Sequence, residues 1–567
     1  MRIGKVVEGK ENVIKAVIDN SVLISKGGVE LFEIGDLVSV IGKRKQYLGM
    51  ITGLSYKTHE EVINRLEFLS NYLDYFVREF GESILKTSFE VLLLGEMDEN
   101  GNIKVAVSLP QHFSDVESLD NKVVSRFFGQ ENQRTIWGIG SPRTPNLSGI
   151  QELIQIPIDV KSLSKLSFGI FGKTGTGKTF LGNLLASFII AYNQLREPDE
   201  KPIILLIFDM HSEYGTHLVD AYGRKIDEGV GQKFDKYFLI YTPDHKMAEE
   251  RNPELKNQLI ELTIPVDDIE LEGEILFMKD LLGLTDTFVG YLRATIDLFK
   301  EISREIYGCE TEWKRCFWSY VKGERKVEEI VSQKLETRKE RAFRQSLEPN
   351  ARKLRWIVDQ DFVTWEETGT IDEVVNALLS QRPRSVIISM GRYAGNTVAY
   401  MLIANVIARK LKERIERLIQ RGEELTSRIM IFLEEAHNFL GPKVFLNSPF
   451  GIIAREYRKR GVNLAVIDQR PSELDENVIS MLWSKFVFAL TSKKDIEVAL
   501  LGVPFKEELE KVVPRLSERR VLVTGIAIRF PVVVTVADYK QKTNEVIKIV
   551  RSGKSKHEKI KLPSTEY

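Results

Sequence analysis

The residues with the most evident chemistry form the octapeptide GKTGTGKT at positions 172–179. Its glycines let the backbone fold so that successive N–H groups point toward a polyphosphate. Lys178 is expected to reach the β and γ phosphates, and Thr179 to hold Mg²⁺. The alternative is a glycine-rich turn that binds nothing, but the strand and helix predicted on either side favour a phosphate loop. The predicted nucleotide-binding residues of this segment are Gly172, Thr174, Gly175, Thr176, Gly177, Lys178, Thr179 and Phe180.

Two adjacent carboxylates follow an apolar run further along the chain. Residues 429–433 predict a buried strand that ends in Glu434 and Glu435, at the sheet edge where ligands of open α/β folds bind. We expect Glu434 to support Mg²⁺ through water and Glu435 to polarise the attacking water. Adjacent glutamates can also simply begin a helix, but their position directly after a buried strand favours the catalytic interpretation.

The next apolar run, residues 464–467, ends in the segment DQRPS. A polar residue at the tip of this strand is placed to contact both the γ-phosphate and water, and Gln469 is the predicted sensor. The same segment can also be a turn before a helix capped by Ser472, and the two interpretations are compatible.

A third polar segment, DMHSEYG at 209–215, follows the apolar run 203–208. Asp209 and Glu213 are expected to order the water shell of Mg²⁺ or to form bonds across the nucleotide site. A separate metal site at His211 and Glu213 is disfavoured.

Two basic segments each allow two interpretations. The segment REYRKRG at 455–461 is either a solvated helix end or a source of cations for the γ-phosphate, as an arginine finger for the neighbouring subunit or as a contact within its own. Helical spacing favours Arg455 and Arg458 for this role. The run 409–428 is either the solvated end of a long helix or a DNA contact. Cations at Arg392 and Lys443 are further candidates for DNA contact.

Alternating apolar strands and helices predict an α/β fold with a mainly parallel sheet covered on both faces. We expect a small β-barrel at 1–55, a mixed α/β accessory region at 56–158, a P-loop NTPase core at 159–540 with a helical insertion at about 270–380, and a basic tail at 541–567. The predicted strands of the core cover 166–171, 203–208, 238–241, 386–389, 429–433, 464–467, 486–490, 521–524 and 532–537.

Composition describes an ordinary globular protein of 567 residues, with 43% hydrophobic and 28% charged residues. No apolar run approaches the ~20 residues that span a bilayer, and the first residues lack the apolar core of a secretory signal, so we expect a cytoplasmic protein without a membrane anchor. The net charge of −1 neither suggests nor excludes nucleic acid, because a ring can concentrate cations on its channel.

The motifs GKTGTGKT, DMHSEYG, IFLEEAHNFL, REYRKRG and DQRPSEL, in this order, resemble those of the HerA family of hexameric DNA translocases, which belongs with the RecA/FtsK-like motor ATPases. The resemblance implies a ring of six subunits that binds ATP and Mg²⁺ and encloses double-stranded DNA. It also implies a partner, either a nuclease of the NurA type in DNA end processing and repair or another effector in phage defence.

The resemblance assigns Lys178 and Thr179 to the phosphate loop, Glu434 and Glu435 to the acid and base, and Gln469 to the sensor. We therefore expect an ATP-dependent double-stranded DNA translocase or helicase. Two alternatives stay open: a ring ATPase that moves protein or single-stranded DNA, and a nucleotide-gated scaffold that activates an effector or nuclease.

Overall fold

The computed structural model describes residues 1–19, 22, 28–58, 85–145, 154–220, 223–246, 250, 255, 258–337, 341–367 and 369–552. Its strands are β1 (Arg2–Lys10), β2 (Val13–Ile18), β3 (Leu37–Ile41), β4 (Gln46–Thr58), β5 (Leu85–Met97), β6 (Ile103–Val105), β7 (Asp115–Ser118), β8 (Ile136–Pro142), β9 (Ile156–Asp159), β10 (Phe168–Phe171), β11 (Ile203–Asp209), β12 (His217–Val219), β13 (Lys225–Glu228), β14 (Phe238–Thr242), β15 (Leu259–Glu261), β16 (Ile264–Pro265), β17 (Val363–Thr364), β18 (Ser385–Ser389), β19 (Arg428–Glu434), β20 (Val462–Asp468), β21 (Ser484–Val487), β22 (Arg520–Gly525) and β23 (Val532–Val536).

The α-helices are α1 (Asn121–Phe128), α2 (Val160–Leu163), α3 (Lys178–Leu195), α4 (Val230–Lys233), α5 (Asp286–Gly290), α6 (Leu292–Tyr307), α7 (Trp313–Lys322), α8 (Arg325–Thr337), α9 (Arg341–Val358), α10 (Ile371–Leu379), α11 (Thr397–Gln420), α12 (His437–Leu440), α13 (Pro449–Ile452), α14 (Glu476–Ser480), α15 (Lys493–Ala499), α16 (Lys506–Val512) and α17 (Tyr539–Ser552). Within the described ranges, none of the helices has the length and apolar character that crossing a bilayer requires. The chain forms two compact units, Met1–Glu197 with Val466–Tyr567, and Pro198–Ala465.

The first unit begins with a closed barrel of six antiparallel strands in the order β2-β1-β7-β3-β4-β5, which β2 closes by pairing with β5. Alternate residues of β2 are buried, as expected for strands with one face toward a core. The predicted barrel is confirmed, but it extends beyond residue 55 to Ser118, because β5 closes it against β2 and β7 pairs with both β1 and β3. Within the predicted accessory region at 56–158, residues 59–84 and 146–153 lie outside the described residues.

The same unit contains one part of the nucleotide core, in which β10 pairs in parallel with β21. Beyond β21 the sheet continues through β22, β23, β8 and β9, and these pairings are antiparallel. The sheet is therefore mixed at this side rather than parallel throughout.

Residues 541–552, predicted as part of a basic tail, are instead helical and belong to α17. This helix packs against α3, with the rings of Phe180 and Tyr539 in edge-on contact at 6.2 Å between centroids. Burial of Val546 and Thr543 anchors α17 although most of its residues are polar.

The second unit contains a parallel sheet in the order β15-β14-β18-β11-β19. Every residue of β11 and β18 is buried, which explains why these strands are continuous apolar runs in the sequence. This part of the predicted parallel sheet is confirmed.

The helical insertion of the second unit is also confirmed, as helices α5 to α10. Its core includes Phe299 on α6 and Phe317 on α7, whose rings lie edge-on at 5.2 Å. Cys316 is buried in α7, and burial raises the pKa of its thiol to about 11, as expected for a structural cysteine.

The charged end of α11 is largely paired within the second unit. Arg409 contacts Glu274 at 2.7 Å, and Lys410 contacts Asp268 at 2.7 Å. Helix α11 is thus tied by ion pairs to the segment that leads into the insertion, which favours a structural role for this charged run over a DNA contact.

Candidate functional site

The phosphate loop, Gly172–Thr179, connects β10 to α3 in the first unit. Gly177 has φ 113° immediately before the helix, and this conformation favours glycine. At Gly172, a β-carbon would lie 2.5 Å from Cβ of Phe488 and 2.9 Å from Oγ1 of Thr176. The loop therefore needs glycine at 177 for its conformation and at 172 for its close packing.

Side chains of the loop fold back on its own backbone. The Lys178 ammonium donates to the carbonyl of Gly172 at 2.7 Å and to that of Lys173 at 2.9 Å. The Thr176 hydroxyl donates to the Lys173 carbonyl at 2.7 Å, while Lys173, Thr174 and Gly175 are exposed. The ammonium is thus held across an open loop whose backbone can receive an anion.

The predicted sensor lies against this loop. Gln469 directly follows β20, and its Oε1 accepts a hydrogen bond from the Thr174 hydroxyl at 2.5 Å. The Gly172 N–H also donates to the carbonyl of Asp468 at 3.3 Å. The structure therefore brings Gln469 and the phosphate loop together, although they are almost 300 residues apart in sequence.

Thr179 and Phe180 begin helix α3 beyond the loop. The Thr179 carbonyl accepts from the Asn183 side chain at 3.0 Å. The Phe180 ring faces Tyr539 of α17, so this predicted nucleotide-binding residue uses its side chain for packing.

Residues that the sequence analysis missed hold the loop from two sides. The N–H of Lys173 donates to the carbonyl of Ala489 at 3.2 Å, just beyond β21. The N–H of Arg519 donates to the carbonyl of Thr176 at 3.2 Å. Only backbone atoms make these contacts, so no side-chain pattern in the sequence marks them.

The carboxylate cluster, Asp209, Glu213, Glu434 and Glu435, belongs to the second unit. Strands β11 and β19 pair in parallel up to Phe208 opposite Leu433, so Asp209 and Glu434 end neighbouring strands. Both side chains are buried, with 0% and 4% of each residue exposed. The predicted convergence of acidic residues at the carboxyl edge of this sheet is what the structure shows.

Backbone N–H groups satisfy part of this negative charge. Asp209 accepts from the N–H groups of Glu213, Tyr214 and Gly215 at 2.8–3.0 Å. Glu434 accepts from the N–H of Met210 at 3.0 Å. The segment DMHSEYG therefore folds as a loop wrapped around the Asp209 carboxylate, with Glu213 at its rim.

Burial and mutual repulsion act on both carboxyl groups. Burial is the main cause that raises the pKa of Asp209 to about 7, and Glu213 adds to the effect. The pKa of Glu434 is raised well above its ordinary value by burial and then by Asp209, Glu213 and Glu435. Because the strongest charges on Glu434 are other carboxylates, the cluster fits the charge and oxygen ligands of Mg²⁺.

The predicted base, Glu435, has a left-handed backbone with φ 46°. Its carboxylate lies 3.7 Å from Nδ1 of His437, and its carbonyl accepts from the Asn438 N–H at 3.1 Å. Residues in this backbone region are uncommon, and they concentrate at functional sites.

Tyr400 of α11 was not predicted, although it supports the same strand ends. Its hydroxyl donates to the carbonyl of Glu434 at 2.8 Å and to that of Phe208 at 3.2 Å. Burial, followed by the negative charge of Glu434, raises the pKa of Tyr400 well above 10, so the phenol stays protonated and can donate. Its position inside an apolar helix gave no functional signal.

The predicted arginine pair does not lie on an α-helix. Residues Ile453–Tyr457 form a π-helical turn and Arg458–Arg460 a 3₁₀ turn, so the α-helical spacing that placed Arg455 and Arg458 on one face does not apply. Arg455 donates to the Leu446 carbonyl at 2.8 Å and lies over the Phe445 ring. Arg392, another candidate cation, pairs with Asp361 at 2.5 Å.

The strand, glycine loop and helix, with the lysine held across the loop, define a nucleotide-binding P-loop NTPase. A family model described as the central domain of the helicase HerA matches residues 139–411. Residues 139–411 therefore match the HerA central domain, and the resemblance to the HerA family predicted from the motifs is confirmed.

Curated relatives include the probable helicase MJECL08 of Methanocaldococcus jannaschii, which is 24% identical over 409 residues and aligns with 69% of this chain and 69% of its own length. The DNA double-strand break repair helicase HerA of Pyrococcus furiosus is 24% identical, with 68% of each chain covered. Among solved structures, the bacterial conjugative coupling protein TrwB has a TM-score of 0.43 at 12% identity, over 67% of this chain and 87% of that one.

Proposed function

We propose that this protein is an ATP-driven motor that moves along double-stranded DNA as a ring of six subunits. The observation that carries the proposal is the hydrogen bond between Thr174 and Gln469, because it joins the nucleotide-binding loop to the residue suited to sense the γ-phosphate. A motor needs such a link, since the presence of one phosphate group must change the position of protein groups.

The residues of the phosphate loop take the binding roles. Backbone N–H groups of the loop receive the phosphates, and Lys178 exchanges its contacts with two carbonyls for the β and γ phosphates. Thr179 would hold Mg²⁺, Glu434 would support it through water, and the ion would neutralise part of the phosphate charge.

The carboxylate cluster takes the hydrolytic roles. Glu435 accepts a proton from the attacking water, and His437, 3.7 Å away, helps to orient its carboxylate. Asp209 and Glu213 order the water shell of the metal, and the Met210 N–H holds Glu434 in position. Arg455 and Arg458 are the candidates for a cation supplied to the neighbouring subunit.

The names of the relatives support DNA as the substrate, since several are DNA double-strand break repair helicases. Exposed apolar side chains on the barrel unit support protein partners: Val105, Val107 and Phe113 are 51%, 71% and 68% exposed. We assign these side chains to assembly with further copies of the chain, or with a NurA-type nuclease or another effector. Its proposed setting is DNA repair or phage defence in the cytoplasm.

The decisive test is the ATPase rate of wild type and of Glu435→Gln, each with and without linear duplex DNA, on protein whose mass has been measured in solution. We expect DNA to raise turnover, the variant to lose at least roughly 100-fold, and the mass to be that of a hexamer. Turnover that ignores DNA, or a monomer in the presence of ATP, would contradict the motor. If Glu435→Gln still activated an effector, the scaffold alternative would replace it.

A further inference from the structure

Two adjacent arginines precede strand β22 and have different surroundings. Arg520 is 15% exposed at its side chain, and its guanidinium contacts Glu33 of the barrel at 2.5 Å. Arg519 is exposed, and in the described part of the chain no carboxylate lies within ion-pair distance of its guanidinium. Packing and pairing therefore explain Arg520 and leave Arg519 without a structural role for its side chain.

The backbone of Arg519 is nevertheless fixed tightly. Its N–H donates to the Thr176 carbonyl at 3.2 Å, and its carbonyl accepts from the Val536 N–H at 2.9 Å. Its φ is 62°, a left-handed conformation that costs a residue with a β-carbon energy which glycine avoids. A long cationic side chain at a position where glycine would be easier needs an explanation.

The position of Arg519 beside the phosphate loop supplies this explanation. The Cα of Arg519 lies 3.9 Å from the position that a β-carbon on Gly177 would take, so the residue sits beside the loop at the start of α3. A guanidinium suits phosphate oxygens because it presents several N–H donors in one plane. The same loop presents its backbone and Lys178 for an anion, so a free cation at its edge adds to one electrostatic site.

We propose that Arg519 binds the phosphate chain of the nucleotide held by the loop of the same chain. The inference rests on the proposed function only in that the loop binds a nucleoside triphosphate. It adds to the site a cation that lies outside the sequence motifs. The backbone of this residue is held beside the loop by the contact between Arg519 and Thr176.

The test is equilibrium binding of fluorescent ATP and GTP analogues to the full chain with Mg²⁺, for wild type, Arg519→Gly, Arg519→Ala and Arg519→Lys. Glycine is the key variant, because it removes the guanidinium and adopts positive φ without strain. We expect Arg519→Gly and Arg519→Ala to weaken both analogues by about 10-fold, and Arg519→Lys by less. Arg519→Gly should melt no lower than Arg519→Ala.

Arg515→Ala is the matched control, since Arg515 is an exposed arginine of the same segment whose guanidinium donates to the Lys511 carbonyl. It should bind both analogues as wild type does. Wild-type affinity in Arg519→Gly would overturn the proposal, as would a loss for ATP alone, which would indicate contact with the base. If wild type binds and Arg519→Gly does not, but DNA fails to stimulate turnover, only the motor function is contradicted.

Discussion

In the phosphate loop the polar groups are mainly backbone atoms and the tip is exposed, whereas in the carboxylate cluster they are side chains buried at the ends of strands. The Lys178 ammonium donates to carbonyls of its own loop, whereas burial and then the neighbouring acids raise the pKa of Glu434. The polar groups of the phosphate loop are hydrogen-bonded without a ligand. The acids of the carboxylate cluster repel one another, and a bound cation would reduce that repulsion. The difference predicts opposite responses to mutation.

Glu434→Gln should have the largest effect of the variants in these two regions. The amide keeps an oxygen for the Met210 N–H and cannot ionise, so it removes the cost that burial, Asp209 and Glu213 impose on the Glu434 carboxylate. We expect ATP turnover to fall by roughly 100- to 1,000-fold, yet the melting temperature at pH 8 with a metal chelator to rise. Glu456→Gln, at an exposed position, is the control for both measurements. A lower melting temperature would show that the cluster is not strained.

Thr174→Val differs from Glu434→Gln, because it removes a favourable hydrogen bond rather than an unfavourable charge interaction. The variant loses the hydrogen bond to Gln469, and we expect turnover to fall by about 10-fold with little change in melting temperature. Combining it with Gln469→Ala should cost no more than the larger single change, because both remove one interaction. Additive losses would mean that the two residues act separately.

The sequence predicts the two regions unequally. The buried strands β11, β18 and β19 lie within one residue of their predicted bounds, because a continuous apolar run is typical of a strand buried on both faces. The glycines of the phosphate loop and the acids at the strand ends could be predicted, because each must occupy a fixed position along the chain relative to its strand. The extent of the barrel was missed because β5, which closes it, follows a long intervening segment.

The supporting contacts could not be predicted. Tyr400 contributes a hydroxyl from an apolar helix, and Ala489 and Arg519 contribute backbone atoms, so tertiary packing alone places them. Helix α17 was predicted as a tail because its charge hides a narrow apolar face that includes Val546. The local sequence pattern therefore predicts the residues that take part in chemistry more readily than the residues that keep them in position.

Tyr400→Phe removes a hydroxyl that supports the carboxylate cluster and leaves the charges of the cluster in place. The lost hydroxyl donates to the carbonyls of Glu434 and Phe208, so we expect a loss of about 1–2 kcal/mol and a melting temperature lower by a few degrees. Turnover should fall much less than in Glu434→Gln. Tyr457→Phe, which removes a hydroxyl bonded to Glu416, is the control for general loss of a buried hydrogen bond.

Asp36 of the barrel tests whether burial alone raises the pKa of a carboxyl group, as burial and neighbouring acids together do in the carboxylate cluster. It is fully buried, and burial raises its pKa to about 8, against the attraction of Arg520. Arg143 lies 3.3 Å from its Oδ1, the Glu33 N–H donates to its Oδ2, and the Glu33 carboxylate pairs with Arg520.

Because its pKa is raised, Asp36 of the folded protein keeps a proton that the unfolded chain loses above pH 3.8. The stabilisation is complete below that pH and is lost as the pH rises through the folded value, so the melting temperature should decline between pH 5 and 8. Asp36→Asn should show a smaller decline, because its amide cannot lose the proton. Equal slopes in the two proteins would mean that Arg143 keeps Asp36 ionised, and that a nearby cation decides the charge state of a buried carboxylate.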